Sequence, residues 1–196
     1  MRVIPVGDRA ALVEVEDALE AAAWAHWARA DGVRAVEIVP AATTVLFDGI
    51  DPEVVVDAVG RWRSREVMRD GPLVLVPVAY DGPDLVTVAA HWGCSVDEVV
   101  SRHTGIEFVS TFTGFAPGFA YLAGLPTDWA VPRMATPRAR VAPGSVGLAD
   151  AWCGVYPRAS PGGWLLLGTT AAVLWDVDRD PPALLSPGTR VRFEAT

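Results

Sequence analysis

The sequence contains no lysine, no asparagine and no glutamine, and all 16 of its basic residues are arginine. Without lysine, the chain can form neither a lysine Schiff base nor a phosphate-binding P-loop, so an ATP site of that kind is not expected here. Without side-chain amides, its polar chemistry must rely on carboxylates, arginine, histidine, hydroxyls, thiols and backbone groups.

Cysteine is also scarce. Cys94 and Cys153 lie far apart, and the three histidines show no metal-ligand spacing, which predicts reduced thiols and no metal site. The first residues, MRVIPVGDRA, lack the apolar segment of a secretory signal. No run approaches the ~18 apolar residues of a membrane span. We therefore expect a cytoplasmic protein with no membrane contact.

A basic surface is missing as well, since the 196 residues carry a net charge of −8. This argues against nucleic-acid binding, and the 51% hydrophobic content excludes a disordered chain. Residues 1–98 hold 17 acids and 8 arginines, a balance of −9, whereas residues 99–196 hold 7 and 8, a balance of +1. Glycine and proline concentrate in residues 105–188. These shifts predict two domains of different class.

The first half alternates strand and helix patterns in the order β-α-β-β-α-β, typical of a small ferredoxin-like domain. Asp17 with Glu20 predicts the start of one helix, and Asp51 followed by proline predicts the start of the next. We place this domain at residues 1–80. The predicted strands are residues 10–15, 33–39, 44–47 and 73–78.

A helical connector is predicted over residues 81–104, as two helices capped by Asp84 and by Ser95 with Glu98. From residue 105 onward, short apolar runs alternate with glycine and proline turns, a pattern typical of a β-barrel or sandwich. The expected fold class is therefore α+β, with an all-β second domain at residues 105–196.

The segment TFTGFAPGFAYLAGLP, residues 111–126, is the first functional candidate. Its glycines and its proline allow a shaped loop, and the interleaved Phe115, Phe119 and Tyr121 predict a pocket wall or an interface. A glycine-rich barrel corner is the alternative.

Residues 132–150 bring three arginines close together: Arg133, Arg138 and Arg140. In an extended chain, Arg138 and Arg140 share a face, where two guanidinium groups suit a carboxylate or phosphate. Solvated arginines at a strand edge are the alternative. Ser145 lies in GSVG and lacks the G-x-S-x-G pattern, so it is not predicted to be a nucleophile.

Two further features carry possible chemistry. The turn SPGGW, residues 160–164, contains consecutive glycines whose N–H groups can face an anion, although a plain tight turn is the alternative. His103 lies at the end of the second connector helix. It is a candidate acid/base residue, and the alternative is a histidine that only interacts with the helix dipole.

Taken in order, GFAPGFAYLAGLP, TPRARVAPGSVGLA, GVYPRASPGGWLLLGTT and LLSPGTRVRFE resemble the family of KipI and the 5-oxoprolinase B-subunit (PxpB). This family is also labelled allophanate hydrolase subunit 1 and is similar to carboxyltransferase domains of the C/D type. Together with the early GDRAALVEVEDALE, the resemblance spans nearly the whole chain. It implies a small α+β N-terminal domain followed by a cyclophilin-like β-barrel.

The resemblance also implies a function. The chain would be one subunit, inactive alone, of an ATP-dependent hydrolase that opens 5-oxo-L-proline to L-glutamate. Its partners would be a KipA/PxpC-like second subunit and a LamB/YcsF (PxpA)-like third, with ATP used at the level of the complex. The alternatives are a KipI-like inhibitor of a sensor histidine kinase, or a subunit of a urea carboxylase/allophanate hydrolase-type complex.

Matching the family motifs residue by residue gives a candidate site, with His103 and Arg138 as catalytic residues. Trp152, Cys153 and Thr169 stand where the family usually has Gln, Thr and Arg, which removes donors that could hold a substrate carboxylate. The candidate substrate-binding residues are Phe115, Pro117, Gly118, Tyr121, Arg140, Ser145, Tyr156, Ser160, Gly162, Gly163 and Trp164.

Overall fold

The computed structural model describes residues 1–63 and 71–196 and divides the chain into two compact units, Met1–Asp70 and Gly71–Thr196. The described residues form strands and four α-helices, which confirms the α+β class. None of these helices has both the length and the apolar character that a membrane crossing requires.

The first unit contains a four-stranded antiparallel sheet in the order β1-β2-β4-β3. Its core centres on Trp24, which meets Phe47 edge to face at 4.5 Å and also contacts Trp62. The strands are β1 Arg2–Pro5, β2 Ala10–Glu14, β3 Glu37–Pro40 and β4 Thr44–Asp48, and the helices are α1 Ala18–Ala30 and α2 Pro52–Arg61.

Both helices of this unit begin where the sequence predicts. Asp17 caps α1 by accepting the backbone N–H of Glu20 at 2.8 Å, and Asp51 caps α2 by accepting that of Glu53 at 2.9 Å. The carboxylate of Glu20 accepts the N–H of Glu16 rather than that of Asp17, so the predicted capping box is only half formed.

The sheet of the first unit differs from the prediction in one strand. The sequence pattern missed β1, whose four residues RVIP end in a proline and show little alternation. β1 pairs with β2 along the edge that a ferredoxin-like sheet reserves for its last strand. The run predicted for that place, β5 Leu73–Val78, pairs in parallel with β13, Arg190–Ala195, in the second unit, where Val76 and Val78 are fully buried.

The second unit is built on a seven-stranded sheet in the order β12-β9-β10-β7-β6-β13-β5. Ala79, just after β5, and Thr169 of β12 exchange two backbone hydrogen bonds of 2.9 Å, so the sheet is nearly closed into a barrel. A separate pair, β8 and β11, forms a small antiparallel ribbon. The strands after β5 are β6 Phe108–Thr113, β7 Ala120–Ala123, β8 Arg138–Val141, β9 Ser145–Ala149, β10 Trp152–Val155, β11 Ser160–Gly162, β12 Leu165–Thr169 and β13 Arg190–Ala195.

The predicted connector forms two helices, α3 Leu85–Trp92 and α4 Val96–Gly105, whose apolar residues pack into the core of the second unit. The capping box of Ser95 and Glu98 at the start of α4 is confirmed. The predicted cap by Asp84 is wrong, because its carboxylate does not bond to the helix backbone. It binds Arg138 and the N–H of Leu166 instead.

Candidate functional site

A cavity of about 210 Å³ lies in the second unit, and its walls come from the segments with the most glycine and aromatic residues. The loop between β6 and β7, the end of β9, the start of β10 and the turn around β11 all contribute. Six of the eleven lining residues are aromatic, which makes this cavity the principal candidate site. The lining residues are Phe115, Phe119, Tyr121, Arg133, Ala149, Asp150, Trp152, Tyr156, Pro161, Gly162 and Trp164.

The aromatic rings of the cavity stand at steep angles to one another. Phe119 and Trp164 meet at 81° with centroids 5.3 Å apart, and Tyr121 and Trp152 meet at 89° and 5.9 Å. Tyr156 is inclined at 73° to Phe119. Edge-to-face pairs of this kind are favourable, so the rings hold each other in place as walls.

Two glycines make room for these rings. A Cβ atom on Gly154 of β10 would lie 3.0 Å from both Phe119 Cζ and Trp164 Cζ3. A Cβ atom on Gly162 would overlap the hydroxyl of Tyr156. The glycines of the GVYP and SPGGW motifs therefore serve close packing of the aromatic wall, rather than backbone conformation alone.

We expect Gly154→Ala to displace Phe119 and Trp164 and to lower the free energy of unfolding by about 1–3 kcal/mol, the usual cost of overpacking. Urea denaturation followed by circular dichroism measures this. Gly105→Ala is the matched control, because its Cβ meets no atom within 4 Å. Equal stability of the two variants would contradict the assigned packing role of Gly154.

Arg133 and Asp150 are the charged residues of the cavity lining. Val131 and Asp150 exchange backbone hydrogen bonds of 3.0 and 2.6 Å, which brings the chain near Arg133 alongside the end of β9. Both residues are exposed. Neither side chain forms an ion pair or hydrogen bond with another residue in the part of the chain that the structure describes, so both charges are open to a ligand.

Backbone strain is concentrated at the same cavity. Phe115 has φ 65° and Asp150 has φ 51°, and they are the two non-glycine residues with positive φ within residues 1–63 and 71–196. Asp tolerates this region, whereas a bulky aromatic residue rarely adopts it. Such outliers cluster at functional sites, where surrounding structure holds a side chain in a required position.

Tyr156 adds a neutral hydrogen-bonding group to the cavity. Burial raises the pKa of its phenol, and the N–H of Trp164 and the charges of Arg133 and Arg138 only partly oppose that rise. The hydroxyl therefore stays protonated near neutral pH and is able to donate a hydrogen bond.

Arg138, predicted to be catalytic, is engaged within the protein. Its guanidinium donates to both carboxylate oxygens of Asp84 at 2.7 and 2.9 Å, and to the carbonyl of Trp164 at 3.3 Å. It also contacts Met134 Sδ at 2.7 Å, next to Arg133. Arg138 does not line the cavity; it joins the two segments that carry Arg133 and Trp164. The structure therefore places Arg138 outside the cavity lining, in an ion pair with Asp84, and its catalytic role stays a prediction.

His103, the other predicted catalytic residue, is fully buried in the core of the second unit and does not line the cavity. Its Nδ1 lies 2.7 Å from the hydroxyl of Tyr80, and its Nε2 lies 3.4 Å from Cys153 Sγ. Burial lowers the pKa of His103 to about 3 and raises that of the Cys153 thiol, so both are neutral. A catalytic role would require a path to solvent that this placement does not provide.

The predicted substrate-binding residues divide into three groups. The cavity brings together Phe115, Tyr121, Tyr156, Gly162 and Trp164. A second cavity of about 510 Å³ is lined by Pro117, Gly118 and again Phe115. Neither cavity is lined by Arg140, Ser145, Ser160 or Gly163.

Sequence reasoning missed several lining residues as site residues. The sequence showed Arg133 as one of three clustered arginines and did not single it out. In the structure, Arg138 pairs with Asp84, 54 positions away, and Arg133 is the cation that lines the cavity. Trp152, noted as a departure from the family pattern, forms a wall. Asp150 and Ala149 carried no signal beyond their proximity to Trp152. No cluster of three or more metal-ligating side chains exists among the described residues.

The comparisons with known proteins agree with this architecture. The family model described as carboxyltransferase domain, subdomain C and D, matches residues 1–185. The chain is 40% identical to the B-subunit of 5-oxoprolinase from Escherichia coli O157:H7, over 96% of this chain and 93% of the relative. It is 44% identical to the B-subunit of 5-oxoprolinase from Bacillus subtilis (strain 168), over 62% of this chain and 52% of the relative.

Solved structures show the same fold. TTHA0988 superposes with a TM-score of 0.78 and 33% identity, over 96% of this chain but only 40% of its own length. PH0987 from Pyrococcus horikoshii superposes with a TM-score of 0.61 and 31% identity, over 100% of this chain and 97% of its own length. Urea amidolyase of K. lactis superposes with a TM-score of 0.77 and 19% identity, over 99% of this chain and 15% of its own length. At this level of identity the similarity shows the fold alone. The chain therefore belongs to the family of carboxyltransferase domains, subdomain C and D, and to the 5-oxoprolinase B-subunit (PxpB) relatives within it.

Proposed function

We propose that this chain is the substrate-cavity subunit of a 5-oxoprolinase-type hydrolase, which opens 5-oxo-L-proline to L-glutamate. Its partners would be a KipA/PxpC-like second subunit and a LamB/YcsF (PxpA)-like third. The observation that carries the proposal is the aromatic cavity of about 210 Å³ with Arg133 and Asp150 in its lining. Relatives at 40 and 44% identity that are named as the B-subunit of 5-oxoprolinase support it.

The cavity suits a small ring that bears a carboxylate. Its volume lies below the roughly 300–1,000 Å³ of drug-sized pockets, so it favours a compact ligand. The guanidinium of Arg133 matches a carboxylate in charge and geometry. The rings of Tyr121, Trp152 and Trp164 would cover the faces of the bound ring and exclude water.

Two further groups could act on the amide. Tyr156, held neutral by burial, can donate a hydrogen bond to the amide oxygen, where negative charge develops when water adds. The carboxylate of Asp150 can accept the ring N–H. Hydrolysis adds water across the ring C–N bond, and the nitrogen leaves as the ammonium of the product, which Asp150 can neutralise.

ATP is proposed to bind on a partner subunit. The residues of this cavity do not fit it, because Arg133 is its single cation and the carboxylate of Asp150 would repel phosphates. No step on this chain is therefore assigned to ATP, and the residues described above bind, orient and shield the cyclic amide.

The test is ATP-dependent release of glutamate from 5-oxo-L-proline by the chain co-purified with its partner subunits. We expect Arg133→Ala to lower kcat/KM by about 10- to 100-fold, the usual value of a charged hydrogen bond. Arg158→Ala is the matched control, since Arg158 is an exposed arginine outside the cavity lining and should keep activity within about twofold of wild type.

Absence of turnover in the complete assembly would overturn the proposed reaction. Equal losses in Arg133→Ala and Arg158→Ala would overturn the assignment of the cavity as the substrate site. Circular dichroism of both variants should match wild type, because each replaces an exposed side chain.

A further inference from the structure

The charges that line the cavity suit a ligand other than a simple anion. Its lining holds one guanidinium, Arg133, and one carboxylate, Asp150. Neither charge is neutralised by an ion pair to another residue among those the structure describes, in contrast to Arg138, which is held by Asp84. A ligand that bears a carboxylate alone would satisfy Arg133 and be repelled by Asp150, whereas a ligand with both charges would satisfy both.

The walls add a second feature that favours a cation. Trp152, Trp164, Tyr121 and Tyr156 line the cavity, and neighbouring rings among them are inclined to one another at 66° to 89°. The faces of tryptophan and tyrosine attract ammonium groups within about 6 Å, and clusters of such rings recognise methylated ammonium ions. A purely hydrophobic pocket would not need a carboxylate beside these rings.

We propose that the cavity is selective for small zwitterions, with an ammonium group against the aromatic walls beside Asp150 and a carboxylate at Arg133. This inference deepens the proposed function. Ring opening of a cyclic amide converts a neutral N–H into an ammonium, so the cavity binds the amino-acid form more tightly than the lactam.

Asp150 is suited to this role by its backbone as well as its charge. Its φ of 51° and its paired hydrogen bonds with Val131 fix where its side chain leaves the end of β9. Asn also adopts this backbone conformation readily, so Asp150→Asn removes the charge without disturbing the fold. Trp152→Leu removes a ring face while keeping an apolar wall, and Trp152→Phe restores a ring.

The test is isothermal titration calorimetry of the full chain with five probes that share a five-membered ring. L-proline and N,N-dimethyl-L-proline carry both charges, cyclopentanecarboxylate only the negative, and pyrrolidine only the positive. The fifth probe, 5-oxo-L-proline, carries the carboxylate and a neutral amide. We expect the two zwitterions to bind at least about tenfold more tightly than each of the other three, from one added ion pair and cation–π contacts.

The variants separate the contributions. Asp150→Asn should weaken the zwitterions by about fivefold and leave cyclopentanecarboxylate unchanged or tighter. Trp152→Leu should weaken N,N-dimethyl-L-proline by about 3- to 30-fold, with recovery in Trp152→Phe. Arg133→Ala should weaken the binding of every carboxylate-bearing probe and leave the affinity for pyrrolidine unchanged.

Equal affinity for L-proline and cyclopentanecarboxylate, tighter binding of 5-oxo-L-proline than of either zwitterion, or no binding of any probe would overturn the inference. Turnover of 5-oxo-L-proline by the complex without zwitterion selectivity would overturn this inference and leave the proposed reaction standing. Zwitterion selectivity without turnover would do the reverse.

Discussion

Replacing Asp84 with alanine is expected to lower the free energy of unfolding of the second unit by about 3–5 kcal/mol, the usual cost of breaking a buried ion pair from one side. The carboxylate accepts two hydrogen bonds from Arg138 and one from the N–H of Leu166, all between 2.7 and 2.9 Å. Its removal leaves the Arg138 guanidinium, whose side chain is 24% exposed, without a counterion, and the N–H of Leu166 without an acceptor. Urea denaturation monitored by tryptophan fluorescence measures the loss.

Asp128→Ala provides the control, because Asp128 is an exposed aspartate of the same unit and its replacement should change stability by less than about 0.5 kcal/mol. The double variant Asp84→Ala/Arg138→Ala should be more stable than the sum of the single effects predicts, since the second change removes the orphaned charge. A loss in Asp84→Ala no greater than in Asp128→Ala would show that the pair contributes nothing.

The second large effect is a loss of folding stability at acid pH. Burial holds the pKa of His103 near 3, against about 6.5 for an exposed histidine. Between these values the unfolded chain binds a proton that the folded chain does not, so stability rises with pH and is lost as pH falls. We expect the free energy of unfolding to drop by about 1.4 kcal/mol for each pH unit below 6.5, down to about pH 3.

Urea denaturation between pH 7.5 and 5 tests this, because most carboxylates titrate below that window. His103→Leu should be less stable than wild type at pH 7.5, since it loses the contacts with Tyr80 and Cys153. Its stability should nevertheless fall less steeply as pH decreases. Parallel curves for the two proteins would rule out His103 as the source of the acid sensitivity.

Local sequence signals predicted much of the fold. The caps at Asp17 and Asp51 and the capping box at Ser95 depend on residues only two or three positions apart, and the structure has each of them where expected. The glycine and proline turns likewise predicted the short strands of the barrel-like sheet. In the candidate site, Phe115 and Tyr121 line the cavity as the interleaved aromatic pattern suggested.

Features set by distant residues were not predictable in this way. β5 belongs to the second sheet rather than the first because it pairs in parallel with β13, which lies more than 100 positions later in the sequence. Arg138 is occupied because Asp84 reaches it from the start of α3. His103 ends a helix, as predicted, but the helix packs it into the core, where a neutral imidazole has no charge to interact with the helix dipole.

The way the sheets end bears on association between copies of the chain. The outer side of β12 is covered by the segment after β5, through backbone hydrogen bonds from Ala79, Gly82 and Asp84. In the first unit, the edge strands β1 and β3 each carry one proline and one charged residue, namely Pro5 with Arg2 and Pro40 with Glu37. Proline lacks the N–H that an added strand would bond, and a charge opposes its approach. These strands are therefore poor templates for ordered aggregation, despite a sequence that is half apolar.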